Sequence, residues 1–168
     1  MELITVRELF KNTDRYAGAE VEIGGWVRNR RPSKQFGFIV LNDGTYFTPV
    51  QVVYNDTIEN FQEISKINIG AALIVKGTVV LTPGSKQPFE IQASSVTVEG
   101  ASTGDFPLQP KRHSMEFLRT ITHLRPRTNT FQAVFRVRSL AAMAIHEFFQ
   151  DRDFVYVHTP LITGSDCE

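Results

Sequence analysis

Cations, aromatic rings and one amide occur close together in the first third of the sequence. Phe36 and Phe38 are two residues apart, so both rings project from the same face if this stretch is a strand. Gln51 follows on the next predicted strand. Four cations precede the rings, at the end of the strand before them and in its loop: Arg28, Arg30, Arg31 and Lys34. Rings can stack on unpaired bases, cations can hold phosphates and an amide can read a base edge, so the pattern predicts a surface for single-stranded nucleic acid.

A structural alternative accounts for the same residues without a ligand. Phe36 and Phe38 could belong to a hydrophobic core, with the cations forming a solvated rim around it. The pattern alone leaves both interpretations open. The sequence has 18 Lys and Arg residues against 18 Asp and Glu residues, so any nucleic-acid binding must come from a local basic patch.

Composition places the chain among soluble globular proteins. Its 168 residues are 42% apolar and 21% charged, which suits one large or two small domains. A lone cysteine, Cys167, excludes an internal disulfide and a four-cysteine zinc site, and it suits a reducing cytoplasm. We find no signal-peptide pattern and no apolar run of membrane-spanning length, so we expect a cytoplasmic protein that does not enter membranes. The four histidines lack ligand spacing, so we expect no metal site.

The predicted elements come in the order of an OB-fold, an all-β five-stranded Greek-key barrel. Alternating apolar residues predict strands at 21–31, 36–41, 48–54, 71–81 and 88–98. Gly24-Gly25 suggests a bulge or sharp coil in the first strand, and Asn42-Asp43-Gly44 predicts a turn. A capping box at 5–8 opens a short first helix, and Thr57 is the expected cap of a second. The apolar residues of this second helix recur at helical spacing: Ile58, Phe61, Ile64 and Ile67.

Beyond residue 100 the composition changes. We expect the barrel domain at 1–100, a linker rich in Gly, Ser and Pro at 101–112, and a further domain from 113 to 168. Ser114 can cap a short helix, residues 124–127 break it, and Thr128 or Asn129 caps a long helix to about Gln150. A strand at 154–159 then ends at Pro160. One long helix and one strand cannot bury a core, so we expect residues 113–168 to begin a larger, incomplete domain.

Several motifs, in order along the chain, resemble class II aminoacyl-tRNA synthetases of the aspartyl, asparaginyl and lysyl subgroup. The long helix followed by FVYVHTP (154–160) looks like motif 1 of that class. GWVRNRR (25–31), PVQVV (49–53) and FEIQAS (89–94) resemble the subgroup's N-terminal anticodon-binding domain. KRHS (111–114), EFLR (116–119) and HLRPRT (123–128) resemble bacterial-type asparaginyl-tRNA synthetases in particular. The resemblance implies an OB-fold barrel followed by the helical start of a truncated α/β catalytic domain.

The resemblance implies a role for individual residues. By matched position, Phe38 stacks on the middle anticodon base, a uridine, Gln51 reads that base and Arg31 supports the site. Glu90 matches a residue that recognises the first anticodon base, although Glu90 could also be an ordinary exposed strand residue. Phe36 and Arg28 are further candidates at the anticodon site. Two matches concern the rest of the enzyme: Glu168 for amino-acid binding and Pro160 for the dimer boundary.

By resemblance, the intact protein is expected to be a cytoplasmic homodimer that attaches asparagine to tRNA(Asn), using ATP and Mg²⁺. Motifs 2 and 3 of the class, which hold ATP, lie downstream of these residues. We therefore assign no catalytic residue and no cofactor to this stretch, and we expect it to bind the anticodon but to be inactive alone.

Three alternatives remain: an aspartyl-tRNA synthetase of relaxed specificity, a stand-alone OB module for single strands, and an interaction or dimerisation domain. Residues 123–128 disfavour the first, the long helix disfavours the second, and the cluster of cations, rings and amide disfavours the third. The pocket that determines amino-acid specificity lies outside this stretch, so the expectation of asparagine rests on the resemblance alone.

Overall fold

The barrel forms because five stretches alternate buried apolar residues with exposed ones. The computed structural model describes residues 2–160, 162 and 164. The strands close in the order β1-β2-β3-β5-β4, with β3 and β5 parallel and every other neighbouring pair antiparallel. The predicted OB-fold is thus confirmed. The five strands have these bounds: β1 Glu20–Pro32, β2 Phe36–Asn42, β3 Val50–Asn55, β4 Ala72–Leu81 and β5 Phe89–Gly100.

Strand β1 changes neighbours at Trp26, which pairs with Ala72 of β4 and with Asn42 of β2. The predicted irregularity at Gly24-Gly25 is displaced, because pairing with β4 runs regularly through both glycines. The register shifts instead further along the strand, between Val27 and Asn29. A Cβ on Gly25 would lie 3.0 Å from the Asn42 carbonyl oxygen, so this glycine permits the close approach of β2 where the strand changes neighbours.

Three short helices accompany the barrel: α1 Val6–Lys11, α2 Thr13–Tyr16 and α3 Phe61–Ile64. The Thr5 hydroxyl accepts the Glu8 N–H, which confirms the predicted cap of α1. The predicted start of α3 at Thr57 is wrong. The Asn55 side chain accepts the N–H and hydroxyl of Thr57, and this local turn competes with helix formation. The four apolar residues predicted for this helix are nevertheless all buried.

After β5, residues 101–114 contain neither helix nor strand. Ser114 caps α4 Met115–Thr120, a single 3-10 turn follows at Arg125–Arg127, and Thr128 caps α5 Asn129–Gln150. The two predicted caps and the break between the helices are confirmed. The division into domains at residues 100 and 112 stays a prediction.

Beyond about its second turn, helix α5 extends away from the barrel. Phe131, in the first turn, is the one buried residue of this helix, whereas Leu140 is 71% exposed. No helix among residues 2–160 is long and apolar enough to cross a membrane.

The predicted strand at 154–159 is wrong for the described structure. The segment follows a turn at Asp151–Asp153 and forms no strand. A strand needs a neighbour that completes its backbone hydrogen bonds, and no described strand lies beside this segment. Pro160 is exposed at its end. Glu168 and Cys167 lie outside the described residues.

Candidate nucleic-acid interface

Phe38 lies on the outer face of the barrel. In the antiparallel register its neighbours are Arg31 on β1 and Val53 on β3. The next residue along β2, Ile39, is fully buried, so strand alternation directs the Phe38 side chain outward. Phe38 is half-buried and Phe36 is 45% exposed, and neither belongs to the buried core. The geometry therefore excludes the core alternative for both rings.

A cation and a second ring flank Phe38. The Arg31 guanidinium carbon lies 5.4 Å from the centroid of the Phe38 ring, within the range of a cation–π contact. Phe36 meets Phe38 edge-on, with ring centroids 5.6 Å apart and an interplanar angle of 90°. Arg31 is itself exposed. A base stacked on Phe38 would thus have a guanidinium nearby for its phosphate or its ring face.

The amide group predicted to read a base is held beside a carboxylate. Gln51 on β3 pairs with Val40 of β2, two residues along β2 from Phe38. Its Nε2 donates to Glu90 Oε2 of β5 at 3.2 Å, and both side chains are half-buried. This bond uses one of the two amide hydrogens, so a second N–H and the amide oxygen stay available. A ligand edge that carries a donor beside an acceptor, such as N3–H and O4 of uracil, would match them.

Arg28 and Arg30 point elsewhere, although the sequence grouped them with Arg31. Arg28 Nη2 donates to Asn129 Oδ1 of α5 at 2.9 Å, and Arg30 Nη1 donates to the Ser65 carbonyl at 2.8 Å. Burial lowers the pKa of the Arg28 guanidinium from its ordinary value. Strict alternation along β1 could not predict the directions of these two side chains, because the register shift between Val27 and Asn29 changes which residues face outward.

Arg28 belongs to the seam between the barrel and the start of α5. Three other contacts cross the seam. Arg127 lies 4.7 Å from the Trp26 ring centroid, Gln132 donates to the Asn42 side chain at 3.5 Å, and Arg136 donates to the Gly44 carbonyl at 2.6 Å. A cleft of about 1420 Å³ opens between these elements and the segment after β5. The predicted anticodon residues thus form one cluster of Arg31, Phe36, Phe38, Gln51 and Glu90, and Arg28 lies outside it.

Sequence reasoning missed Gln87, which precedes β5. Its Oε1 accepts the backbone N–H of Gln51 at 3.2 Å. The sequence offered one signal, the proline at position 88, because the residue before a proline is restricted to extended conformations. No periodic pattern marks a side chain that bonds to the backbone of another strand.

Comparison with known proteins gives two family matches in the order of the elements. Residues 21–99 match a family described as "OB-fold nucleic acid binding domain", and residues 114–168 match "tRNA synthetases class II (D, K and N)". Over its whole length the chain is 61% identical to the asparagine–tRNA ligase of Alkaliphilus oremlandii and 58% identical to that of Desulfitobacterium hafniense. These matches make the chain a homologue of class II aminoacyl-tRNA synthetases over its full length. It spans 36% of the length of each of these two relatives.

Solved structures of this synthetase family share the fold. Asparaginyl-tRNA synthetase from Pyrococcus horikoshii, complexed with asparaginyl-adenylate, matches 96% of the chain with a TM-score of 0.83 at 24% identity. The match covers 37% of that structure. An aspartyl-tRNA synthetase from Entamoeba histolytica matches 95% of the chain, and 39% of its own length, with a TM-score of 0.79 at 22% identity. At these identities the likeness establishes the fold and does not distinguish the two amino-acid specificities.

Proposed function

We propose that the chain binds the anticodon loop of a tRNA on the outer face of β1, β2, β3 and β5. The observation that carries the proposal is that Arg31, Phe38 and the Gln51–Glu90 pair share this outer face. Gln51 lies opposite Val40, two residues along β2 from Phe38. The ring supplies a stacking surface, the guanidinium a cation and the amide a reader of base edges. In this proposal the middle base stacks on Phe38 and meets Gln51. Glu90 serves the first anticodon base, and Phe36 forms the edge of the surface.

We further propose that the whole protein attaches asparagine to tRNA(Asn) at the expense of ATP, with Mg²⁺. The relatives at 58–61% identity are named for that reaction, and the chain aligns with them over its full length. Residues 1–100 would then be the anticodon-binding domain, 101–112 a linker and 113–168 the start of the catalytic domain. Among the described residues no group of three or more His, Cys, Asp or Glu side chains could hold a metal ion. By the resemblance, the motifs that hold ATP lie downstream, so ATP and Mg²⁺ are proposed for the whole protein and assigned to no residue described here. Glu168 remains a proposed amino-acid contact.

The test of anticodon reading is Gln51→Ala. The variant should prefer uridine over cytidine at the middle position less strongly than wild type does. The ratio of the two dissociation constants should fall roughly two- to tenfold, the range expected for the loss of one neutral hydrogen bond. Fluorescence anisotropy on two anticodon stem-loops that differ in this single base measures the ratio of dissociation constants. Gln62→Ala is the matched control, because Gln62 is an exposed glutamine on α3.

Two results would count against this proposal. Wild-type chain that binds both stem-loops equally well would favour a stand-alone module for single strands. A Gln51→Ala variant that keeps the full preference would remove Gln51 from base reading.

The partner proposal concerns α5, whose apolar side is uncovered in the single chain. Val137, Leu140 and Met143 are each more than 60% exposed on this helix. Exposed apolar surface of this extent marks a protein interface. We propose that a second copy covers it, with Pro160 at the boundary between the two subunits, because the resemblance to motif 1 assigns this helix to the family's dimer surface.

Sedimentation velocity measures the proposed dimer. Wild-type chain should associate as its concentration rises, and Leu140→Lys should shift the equilibrium toward monomer, because a buried charge lacks a partner at an apolar interface. Leu81→Lys is the control, since Leu81 is 45% exposed at the end of β4 in the barrel. Wild-type chain that stays monomeric at the highest concentration tested would contradict the proposal.

A further inference from the structure

The barrel is incompletely paired where β3 meets β5. Their parallel pairing is limited to Val52 with Ile91 and Val53 with Gln92. Gln51 lies one residue before this paired stretch, so no strand on the β5 side accepts its backbone N–H. The side chain of Gln87 fills this position, with its Oε1 3.2 Å from the Gln51 nitrogen. A side-chain amide thus takes the place of a backbone carbonyl at the unpaired end of the junction between β3 and β5.

Gln87 can do this because its own backbone is fixed. The Thr82 hydroxyl donates to the Gln87 carbonyl at 2.7 Å, and the Thr82 N–H donates to the Pro88 carbonyl at 2.9 Å. These two bonds close the loop between β4 and β5. Pro88 also restricts the backbone of Gln87 to extended conformations. The Gln87 side chain therefore extends from an anchored backbone toward β3, and its bond to Gln51 requires ordering of the side chain but no further ordering of the backbone.

We propose that Gln87 is a positioning residue for reading the middle anticodon base. It holds the backbone of Gln51 at the unpaired end of β3, and the Gln51 side chain carries that placement to its bond with Glu90 at 3.2 Å. Gln87 acts through Gln51 and is not assigned a contact with the base. This inference rests on the proposed function, because it gives Gln87 a part in the same recognition event.

The bond makes a specific physical contribution. Reading a base edge requires the amide of Gln51 to be held within a few tenths of an ångström and a narrow range of angles. Without Gln87, the Gln51 N–H would bond to water and the start of β3 would be held by β2 alone. The amide would then sample several orientations, and fixing one of them on binding would reduce the free energy of binding to the preferred base. Stacking on Phe38 does not depend on this bond and should persist.

The experiment compares three variants of the whole chain. Gln87→Met keeps the length of the side chain and removes the acceptor. Gln87→Glu keeps an acceptor oxygen at the same reach, and Thr82→Val removes the hydroxyl that anchors Gln87 without altering Gln87 itself. Gln62→Met is the control for replacing an exposed glutamine by methionine elsewhere on the barrel.

Three measurements are made on each variant. Amide hydrogen exchange of the Gln51 N–H, in the free protein, reports the bond independently of RNA. Fluorescence anisotropy gives the ratio of dissociation constants for stem-loops with uridine or cytidine at the middle position. Thermal melts show whether the barrel stays folded.

Gln87→Met should speed exchange at Gln51 and lower the uridine preference roughly two- to tenfold, at a nearly unchanged melting temperature. Gln87→Glu should keep both the slow exchange and the preference. Its added charge should weaken binding of the two stem-loops equally, which leaves the ratio unaffected. Thr82→Val should shift both readouts in the same direction as Gln87→Met, by less.

The outcomes separate this inference from the proposed function. Faster exchange at Gln51 in Gln87→Met together with an unchanged preference would overturn the positioning role and leave Gln51 as the reader. Unchanged exchange would show that Gln87 does not hold the Gln51 N–H in solution, which also overturns the inference. Wild-type chain without any uridine preference would overturn the proposed function itself, and the positioning role with it.

Discussion

Replacing Phe38 by alanine should weaken binding of a uridine-centred anticodon stem-loop by about 1–3 kcal/mol, the range for removing one base-stacking aromatic. The ring projects from the outer face of β2, and the Arg31 guanidinium carbon lies 5.4 Å from its centroid. Because every base has a π-face, the loss should be similar for any base at the middle position. This distinguishes Phe38→Ala from Gln51→Ala, which should change the preference between bases more than the affinity.

Two measurements make the Phe38 result decisive. Phe47→Ala is the matched control, because Phe47 is 46% exposed in the loop between β2 and β3 and lies outside the candidate face. Thermal melts recorded beside the anisotropy separate lost stacking from lost folding, since truncating a core phenylalanine would cost about 3–5 kcal/mol of stability. A Phe38→Ala variant that melts like wild type and binds equally tightly would refute the stacking role.

The barrel was predictable from the sequence because its strands alternate buried and exposed residues over long runs. β4 follows the pattern along nearly its whole length, with Leu73, Val75 and Val79 directed inward. The outward position of Phe38 relative to Ile39 follows from the same alternation. Closure of the sheet was inferred from the element order, since no periodic pattern encodes which strands meet.

Three features escaped prediction because each depends on an interaction that periodicity does not record. The register shift after Val27 places Arg31, and not Arg30, on the outer face beside Phe38. The Asn55 side chain holds Thr57 in a local turn, and α3 begins only at Phe61. Residues 154–159 have the composition of a strand, but they have no strand beside them among the described residues. In each case the feature that decided the conformation, whether a register shift, a side-chain bond or a missing neighbouring strand, lies outside the periodic pattern.

The largest effect on stability is expected from Gly77→Ala in β4. Gly77 lies where the register between β4 and β5 shifts, opposite Ala93. A Cβ at this position would overlap the Gln92 carbonyl oxygen and lie 2.8 Å from the Ala93 Cα. These are backbone atoms of a strand in a closed barrel, so they cannot rotate away as a flexible side chain could. We expect the free energy of unfolding to fall by about 3 kcal/mol or more, the upper end for overpacking a core.

Gly100→Ala is the matched control for this substitution, because Gly100 is also a strand glycine at the β4–β5 pairing. A Cβ there would lie 3.7 Å from the Ala72 Cβ, an ordinary van der Waals contact, so its stability should change by no more than about 1 kcal/mol. Urea denaturation of both variants measures their free energies of unfolding. A change in midpoint at an unchanged dependence of that free energy on urea concentration reports a change in stability. Glu90 lies on β5 and accepts a hydrogen bond from Gln51, the proposed reader of the middle base. Gly77→Ala should therefore also weaken the uridine preference at temperatures where the variant remains folded. A Gly77→Ala chain with the wild-type urea midpoint would show that β4 and β5 do not approach this closely at the register shift.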